Sequence, residues 1–432
     1  MAGIKFAGDV TIKQFEIEGR NGKLDITQLI SQIQIFEDVF SPFISGNVVI
    51  NESLDLVNKL PLGGEEFFNI HIFTPSYEGD TFGEIKGKFA IYRMTERQNL
   101  AERGVVYTLH FVTMEARVDV GKKIRGAFEG YPHDIARKLI YEDDLGMKTE
   151  RDVHIEDTKN SIKFVCNNWT PMRALNYCAT KAVNEDDSPT FMFFENRRGF
   201  NFISFTGLYK QEPLQKFIKD NYRRDPTDPK GGKNIDEEYR RVSEFRMPSG
   251  FDFFKRIQTG MFVSQLTTYD FVTKDHKTYT YNALQEFPEL NHLNDFPLMS
   301  PALFNDQLTR EPLISETSAL FHLNQQQSMF EGFNDVSMND KFLERRSLLA
   351  QAEAFKIEIE CAGRTDYTAG AVVEFQTNRN EPISPQDEDP IDRMMSGKYL
   401  ISSINHVITP SEHRCHMELI KESLSANFTG LE

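Results

Sequence analysis

Cysteine is scarce in this sequence of 432 residues, which contains four, and none of them stands in a CxxC pair. Cys166, Cys178, Cys361 and Cys415 are widely spaced, whereas a zinc knuckle needs close pairs and a disulfide framework needs a denser pattern. We therefore expect four buried thiols and neither kind of cross-link.

Long apolar runs are absent as well. Nowhere do about 18 uncharged apolar residues follow one another, as a membrane-spanning helix requires. The first residues, MAGIKFAGDVTIKQF, lack the apolar centre of a signal peptide. We expect no membrane-spanning segment and a protein that is made and folded in the cytosol.

Positive charge is in deficit, because 49 lysines and arginines face 65 aspartates and glutamates, for a formal net charge of -16. A protein that binds nucleic acid tightly has to neutralise phosphates, so this balance argues against such a binder. An acidic wall does suit a channel that nucleic acid passes without sticking, because like charges remove attractive positions along the path.

The motifs of the common enzyme classes are missing: the sequence has no P-loop, GxGxxG, HExxH, GxSxG or EF-hand pattern. Carboxylates do occur in runs, at 142–144, 185–187 and 387–389. These runs lie in loops or at a predicted helix end, where solvated turns are the simpler interpretation, whereas a glycosidase holds two carboxylates across a cleft. We predict no catalytic residue and no cofactor.

The best metal candidate is the stretch HVITPSEHRCH, with His406, His413, Cys415 and His416. On a strand, Cys415 and His416 point to opposite faces, so a shared ion would need a distorted backbone. We interpret the stretch as a polar strand pair near a turn and predict no metal site.

Alternating strands dominate the N-terminal part of the chain. ISQIQIF alternates apolar and polar residues, SPF interrupts it, and SGNVVI, KGKFAIYRM and VVYTLHFVTM follow as further strands. Such runs joined by short turns predict an antiparallel sheet that is closed, or nearly closed, into a barrel.

Helical patterns follow. YPHDIARKLIYEDDLG carries an apolar stripe, and WTPMRALNYCATKAV begins with Thr170 as a suitable N-cap and Pro171 at the first helical position. Beyond a stretch rich in proline, glycine and charge, strands resume, and NDKFLERRSLLAQAEAF predicts an amphipathic helix before four final strands.

These patterns predict a mainly β chain with α+β insertions, made of two related antiparallel β-barrel domains and a middle α/β domain. The predicted boundaries are 1–118 for the first barrel, 119–207 for the middle domain, 208–250 for a loop or linker, and 251–432 for the second barrel with a long irregular and helical insertion at about 283–355.

The last strands repeat patterns of the first ones, in the same order and at similar intervals. Each pattern alone is weak because isoleucine and valine recur in any strand, so convergent strand composition is the alternative; the ordered set favours two related β-domains. The matched patterns are Ile33-x-Ile35 with Ile357-x-Ile359, Gly46-x-Val48-Val49 with Gly370-x-Val372-Val373, and Gly87-Lys88-Phe89-x-Ile91 with Gly397-Lys398-Tyr399-x-Ile401.

The stretch FMFFENRRGFNFISF, residues 191–205, is unusually rich in phenylalanine. Its rings share faces on two predicted strands around a turn, which favours a packed hairpin over a ligand site. Arg197 and Arg198 stand at the turn, and we predict an exposed pair placed to contact an acidic partner, with two solvated cations as the alternative.

Several of these stretches together resemble one protein family. WTPMRALNYCATKA followed by FMFFENRRGFNFIS resembles the middle domain of central baseplate hub proteins from contractile-tailed bacteriophages. The stretch from IQIFEDVF to EEFFNI is similar to their first tube domain, and TTYDFVTKDHKTYTYN, SGKYLISSINHVI and CHMELIKESL to their second. The resembling stretches span nearly the whole chain but contain no catalytic signature.

The resemblance implies a structural protein of the phage virion, assembled in the host cytoplasm. Two tube-lining barrels per chain in a homotrimer would form a pseudo-six-fold ring with a channel for DNA, between the tail tube or its initiator above and a spike protein below, with other baseplate proteins around it. The same two barrels form the N-terminal hub region of the valine-glycine repeat spike proteins of type VI secretion.

Two alternatives stay open. A tail-associated cell-wall hydrolase would use carboxylates such as Glu142 and Asp144, and a spike-base component of a secretion or injection system would share the same fold.

Overall fold

A computed structural model describes residues 4–426 except 61, 81, 101–103, 143, 220–234, 250–251, 270–273, 275, 299–318, 324–336 and 380–389. Within these ranges, no helix has the length and apolar character needed to cross a bilayer. All four cysteines are buried, as the sequence predicts.

The described elements are mainly strands. The strands are β1 Thr11–Gly19, β2 Gly22–Asp25, β3 Ile30–Asp38, β4 Ser45–Glu52, β5 Phe67–Phe73, β6 Glu84–Asn99, β7 Val105–Thr113, β8 Ile124–Gly130, β9 Val153–Ile155, β10 Ile162–Trp169, β11 Phe191–Asn196, β12 Gly199–Ser204, β13 Lys216–Lys219, β14 Val242–Ser249, β15 Val263–Tyr269, β16 His276–Asn282, β17 Phe296–Pro297, β18 Ala319–Leu323, β19 Phe355–Ala362, β20 Val372–Thr377, β21 Gly397–Ile408, β22 His413–Lys421 and β23 Ser423–Leu424. The α-helices are α1 Leu56–Lys59, α2 Met114–Gly121, α3 Pro132–Tyr141, α4 Pro171–Lys181, α5 Phe205–Tyr209, α6 Ile235–Arg240, α7 Phe253–Gln258, α8 Ala283–Glu286 and α9 Ser337–Ala352.

One large sheet contains strands from both ends of the chain. Its order is β14-β19-β22-β21-β3-β4-β7-β6-β5-β1-β2, and β20 pairs with the first half of β21 and with β13. The mainly β prediction is therefore confirmed. The sheet that was expected to be closed, or nearly closed, into barrels forms no closed barrel among the described residues. Instead, β21 pairs with β3 and joins the two predicted barrel regions edge to edge.

Two five-strand units within this sheet have the same internal order. The first unit runs β3-β4-β7-β6-β5, and the second runs β14-β19-β22-β21-β20. Equivalent residues pair in the same register. The equivalent pairs are Ile33–Val48 and Phe245–Ile359, Val48–Leu109 and Ile359–Met417, Leu109–Met94 and Met417–Ile404, Phe111–Ile91 and Leu419–Ile401, and Phe89–Phe68 and Tyr399–Val373.

A β-bulge occurs at the same place in both units. The register shifts after Ile91 in β6 and after the equivalent Ile401 in β21. The predicted repeat of the Gly-Lys-aromatic strands is thus present in the structure. The predicted match of Ile33 with Ile357 is wrong: Ile357 pairs as Gly46 does, because β19 corresponds to β4 and the first strand of the second unit is β14.

The middle region packs α3 and α4 against β8, β10 and the β11–β12 hairpin. Their inward side chains form one buried cluster with the hairpin phenylalanines. Thr170 caps α4 as predicted, with its hydroxyl accepting a hydrogen bond from the Arg173 amide at 3.2 Å. Phe193 stacks on Phe200 and Phe191 packs on Phe202, so this stretch is core, as the sequence favours.

The predicted linker at 208–250 is wrong for its described residues. β13 pairs in parallel with β20, and β14 pairs antiparallel with β19. The loop was predicted from the proline, glycine and charge of the stretch at 223–241, of which 223–234 lie outside the described residues.

The insertion between β14 and β19 forms a small unit of its own. β15 pairs with β16 and β18, and α9 packs on the first two of these strands, with its own buried cluster. The amphipathic helix predicted here is confirmed by α9. Most of the predicted irregular segment at 283–336 lies outside the described residues.

Candidate functional site: a polar sheet face and the buried junction beneath it

A polar surface crosses five strands of the large sheet where the two units meet. Alternation places every second side chain of β14, β19, β22, β21 and β3 on this side, and together they line a depression. We define the polar face by two rows of paired residues: Arg246, Glu358, Glu418, Ser403 and Asp38, and Glu244, Glu360, His416, Asn405 and Phe36.

Carboxylates dominate the polar face, since these ten residues include five acids, one arginine and one histidine. Arg246 forms an ion pair with Glu358, and Lys356 lies 3.6 Å from Glu418. Partial burial raises the pKa of Asp38, and the negative charge of Glu418 adds to that rise.

The next row across the sheet is less acidic. It runs through Arg414, Val407, Gln34, Asn47, His110 and Arg93. Arg414 is held by Glu360 at 3.0 Å and Glu412 at 2.7 Å. This row has no acidic residue and carries an arginine at each end, Arg414 on the second unit and Arg93 on the first.

Directly beneath the polar face, Glu37 and Arg197 form a buried ion pair. Glu37 follows the alternation of β3 and points into the core, where its carboxylate lies 3.5 Å from the Arg197 Nε. The carboxylate also accepts hydrogen bonds from the Thr368 hydroxyl at 2.6 Å and the Ala369 amide at 3.0 Å. Arg197 Nε donates to the Tyr367 carbonyl at 3.0 Å.

Burial opposes charge on both members of this pair. It raises the pKa of Glu37 and lowers the pKa of Arg197, while each partner's charge acts in the opposite direction. The predicted exposed position is wrong for Arg197, because only 3% of its side chain is exposed. The hairpin turn is covered by the loop before β20, a contact between distant parts of the chain that local sequence does not reveal.

Arg198, the other predicted contact residue, is half-buried beside a different element. Its guanidinium lies 5.9 Å from the centre of the Phe82 ring. Contact of Arg197 or Arg198 with a partner protein stays a prediction.

Glu195, on the same hairpin, joins the middle region to the first unit. Its fully buried carboxylate accepts hydrogen bonds from the Ile44 amide at 2.9 Å and the Thr113 hydroxyl at 2.8 Å, and it pairs with Arg151. Arg197 of the same hairpin contacts Tyr367 in the second unit. The β11–β12 hairpin therefore links the middle region to both units of the large sheet.

A second buried cluster lies beside the Glu37 pair. His406 Nδ1 and His413 Nε2 are 3.1 Å apart, and Cys415 Sγ is 3.3 Å and 3.5 Å from them. All three side chains are buried, whereas the His416 side chain is 49% exposed on the opposite face. The expectation that Cys415 and His416 diverge is confirmed.

The convergence of the other three residues was missed from sequence. Two local signals could have found it: positions 413 and 415 share a face of one strand, and a hairpin turn between 408 and 413 sets residue 406 opposite residue 415.

The carboxylates of the hydrolase alternative give no comparable arrangement. Glu142 follows α3 and Asp144 lies in the turn after it, and both are exposed.

Solved structures resemble this arrangement as a whole. The tail protein from Neisseria meningitidis MC58 matches with a TM-score of 0.52 at 11% identity, over 96% of this chain and 97% of that one. The 43 kDa tail protein of prophage MuSo2 from Shewanella oneidensis also matches with a TM-score of 0.52, at 10% identity, over 95% and 98% of the two chains. This chain has the fold of these tail proteins.

A weaker similarity, with a TM-score of 0.44 and 8% identity, links 96% of the chain to 52% of a chain in the Francisella PdpA–VgrG complex. That score is too low to establish a common fold. No protein-family model and no curated protein matches the sequence.

Proposed function

We propose that this chain is a structural hub protein of a contractile phage tail. Three copies form a pseudo-six-fold ring in the virion baseplate, which joins the tail tube or its initiator to the central spike and leaves a channel for DNA. The fold shared with two tail proteins supports a structural role in a tail.

The observation that carries the ring is the edge-to-edge joint between two equivalent units. Within one chain, the second half of β21 pairs with β3, so the second unit continues directly into the first. A ring of six similar units needs the same joint to recur between chains, from the first unit of one copy to the second unit of the next.

Two strand edges are available for that recurrence. β14 stands at one end of the sheet, where β13 contacts only its start, through a bridge from Ile218 to Arg241 and hydrogen bonds from Lys219. The second half of β6, the equivalent of the second half of β21, pairs on one side with β7, and no other described strand pairs with its other side. Unpaired strand edges present backbone donors and acceptors in a row, which favours pairing with another chain.

The internal joint predicts the register between copies. Val407 pairs with Gln34 inside the chain. Gln98 occupies the place of Val407, and Arg246 that of Gln34, in the equivalent strands. We therefore expect Gln98 of one copy to lie opposite Arg246 of the next.

A disulfide tests this register, because paired residues in adjacent strands lie within the range that a disulfide spans. The double variant Gln98→Cys with Arg246→Cys is expected to give covalent dimers and trimers under oxidation. We expect the isolated protein to trimerise only in part, so the oxidation is carried out at high protein concentration, where more of the chains are associated.

The internal joint supplies the matched control. Gln34→Cys with Val407→Cys is expected to form a disulfide within one chain, so the protein still migrates as a monomer on a denaturing gel. Trimers without cross-linking would contradict the predicted joint alone, whereas a monomer or a two-fold dimer imaged in an assembled tail would contradict the hub itself.

The polar face suits the wall of the channel. The other side of the sheet is covered by the apolar clusters of both units. No described residue covers the concave, acidic polar face, so three copies of it can line a channel that DNA passes without binding.

A further inference from the structure

The buried cluster of His406, His413 and Cys415 has no role in the proposed ring. Its three donor atoms all lie within 4.8 Å of one another on the β21–β22 hairpin. Imidazole nitrogen and thiolate sulfur are the ligands that zinc prefers in proteins.

The spacing of the donors matches one shared ion. With Zn–N near 2.0–2.1 Å and Zn–S near 2.3 Å, tetrahedral geometry separates neighbouring donors by about 3.3 to 3.6 Å. The three separations here are 3.1, 3.3 and 3.5 Å. A chain of hydrogen bonds needs only two such contacts, whereas a central cation needs all three.

The outer side of the cluster also fits. A His ligand usually donates its second ring N–H to a carboxylate, which orients the ring. The His406 Nε2 faces Glu37 Oε1 at 3.9 Å, and neither atom has a hydrogen-bond partner within the described part of the protein. A cation at Nδ1 requires the proton at Nε2, where it faces that carboxylate.

The nearby charges offset most of the charge of a divalent ion. Arg197 is the positive group that acts on both histidines and on Cys415. Glu37 and a Cys415 thiolate would supply two negative charges against the three positive charges of Arg197 and the zinc ion, which leaves one net positive charge in the cluster.

We propose that His406 Nδ1, His413 Nε2 and Cys415 Sγ bind one zinc ion at the junction of the two units. Binding displaces the thiol proton: Zn²⁺ and the Cys415 thiol give a zinc thiolate and one released proton, with no change of oxidation state. Because the site is buried, the ion enters during folding. This site is independent of the proposed function.

Zinc and cobalt test the site in the full chain. The protein is refolded with each metal alone, and unbound metal is removed. The metal content is then measured, and the cobalt sample is examined for the near-ultraviolet charge-transfer absorption of a cobalt thiolate. The expected result is about one ion per chain and a clear thiolate band.

Variants assign the ligands. Cys415→Ser is expected to abolish the thiolate band, and His413→Asn to lower metal affinity at least tenfold. Glu37→Gln is expected to weaken it about 10- to 100-fold. The matched controls are Cys361→Ser, the cysteine directly opposite Cys415 in the next strand, and His416→Asn on the other face; both are expected to retain metal and band.

If a ligand variant fails to fold, the metal content of the wild-type protein still tests the proposal. A folded wild-type chain that retains less than about a tenth of an ion after refolding with either metal overturns the proposal. Equal cobalt spectra for wild type and folded Cys415→Ser overturn it as well.

Discussion

At the scale of single residues, the buried pair of Glu37 and Arg197 is the most constrained feature beneath the polar face. Both charges are removed from water. Thr368 and Ala369 donate hydrogen bonds to Glu37, and the Tyr367 carbonyl accepts one from Arg197. A lone charge left at this depth is costly, so the two residues depend on each other.

Arg197→Met is expected to lower the free energy of unfolding by about 3–5 kcal/mol, because it leaves the Glu37 carboxylate buried without its cation. Urea denaturation measures the change. Arg198→Met is the matched control from the next, half-buried position, with an expected loss of about 1 kcal/mol or less. Adding Glu37→Met to Arg197→Met is expected to recover part of the loss; equal effects of the two arginine variants would contradict this account.

Lys421 offers a pH test away from that pair. Burial lowers its pKa to about 7, although Asp392 and Glu422 oppose the shift. Its ammonium donates to the Met394 and Ser396 carbonyls and lies over the Phe355 and Tyr399 rings.

Stability should therefore rise with pH above about 7, because the unfolded chain keeps a proton on Lys421 that the folded chain has lost. The slope from this residue rises with pH and approaches about 1.4 kcal/mol per pH unit well above pH 7. Urea denaturation between about pH 7 and about pH 8.5, which is roughly two units below the ordinary lysine pKa, compares wild type with Lys421→Met. A constant difference between the two across that range would refute the prediction.

At the scale of elements, the β11–β12 hairpin depends on a glycine at its turn. Gly199 has φ of +122°, and a Cβ there would lie 2.1 Å from the Asp152 carbonyl oxygen. The glycine thus permits both the turn and the close approach of the chain before β9.

Gly199→Ala is expected to destabilise the protein by at least about 2 kcal/mol, from backbone strain and from the displaced neighbour. Gly22 has the same φ of +122° but nothing within 4 Å of a Cβ, so Gly22→Ala isolates the strain alone and should cost less. Thermal melting of both variants checks the order, and the reverse order would rule out a role for the Asp152 contact.

At the scale of the whole molecule, the charge of the polar face follows from the sheet order, which aligns acidic residues from strands far apart in sequence. We expect wild-type protein to bind duplex DNA weakly, and the triple variant Glu358→Lys, Glu360→Lys and Glu418→Lys to bind it with strong salt dependence, because lysines release counterions from phosphates.

Fluorescence anisotropy at low and moderate salt measures that binding. The control variant Glu129→Lys, Glu150→Lys and Asp157→Lys has the same net charge, with the changes in the middle region, and is expected to bind less tightly. Tight binding by the wild type, or equal binding by the two variants, would argue against the polar face as a channel wall.

Local sequence determined much of this protein. Alternation predicted most strands, and N-cap and proline signals predicted α4, because both depend on neighbours a few residues apart. The repeated Gly-Lys-aromatic strand and the buried phenylalanine hairpin could be predicted for the same reason.

Tertiary structure decided the rest. The pairing of distant segments sets the strand order and the joint of β21 with β3. It also buries Arg197 and brings His406 together with His413 and Cys415. Periodicity says which face of a strand is apolar but not which strand lies beside it, since any alternating strand can pair with any other. The sequence therefore predicted two related β-domains, and only the pairing of their edges made them one sheet.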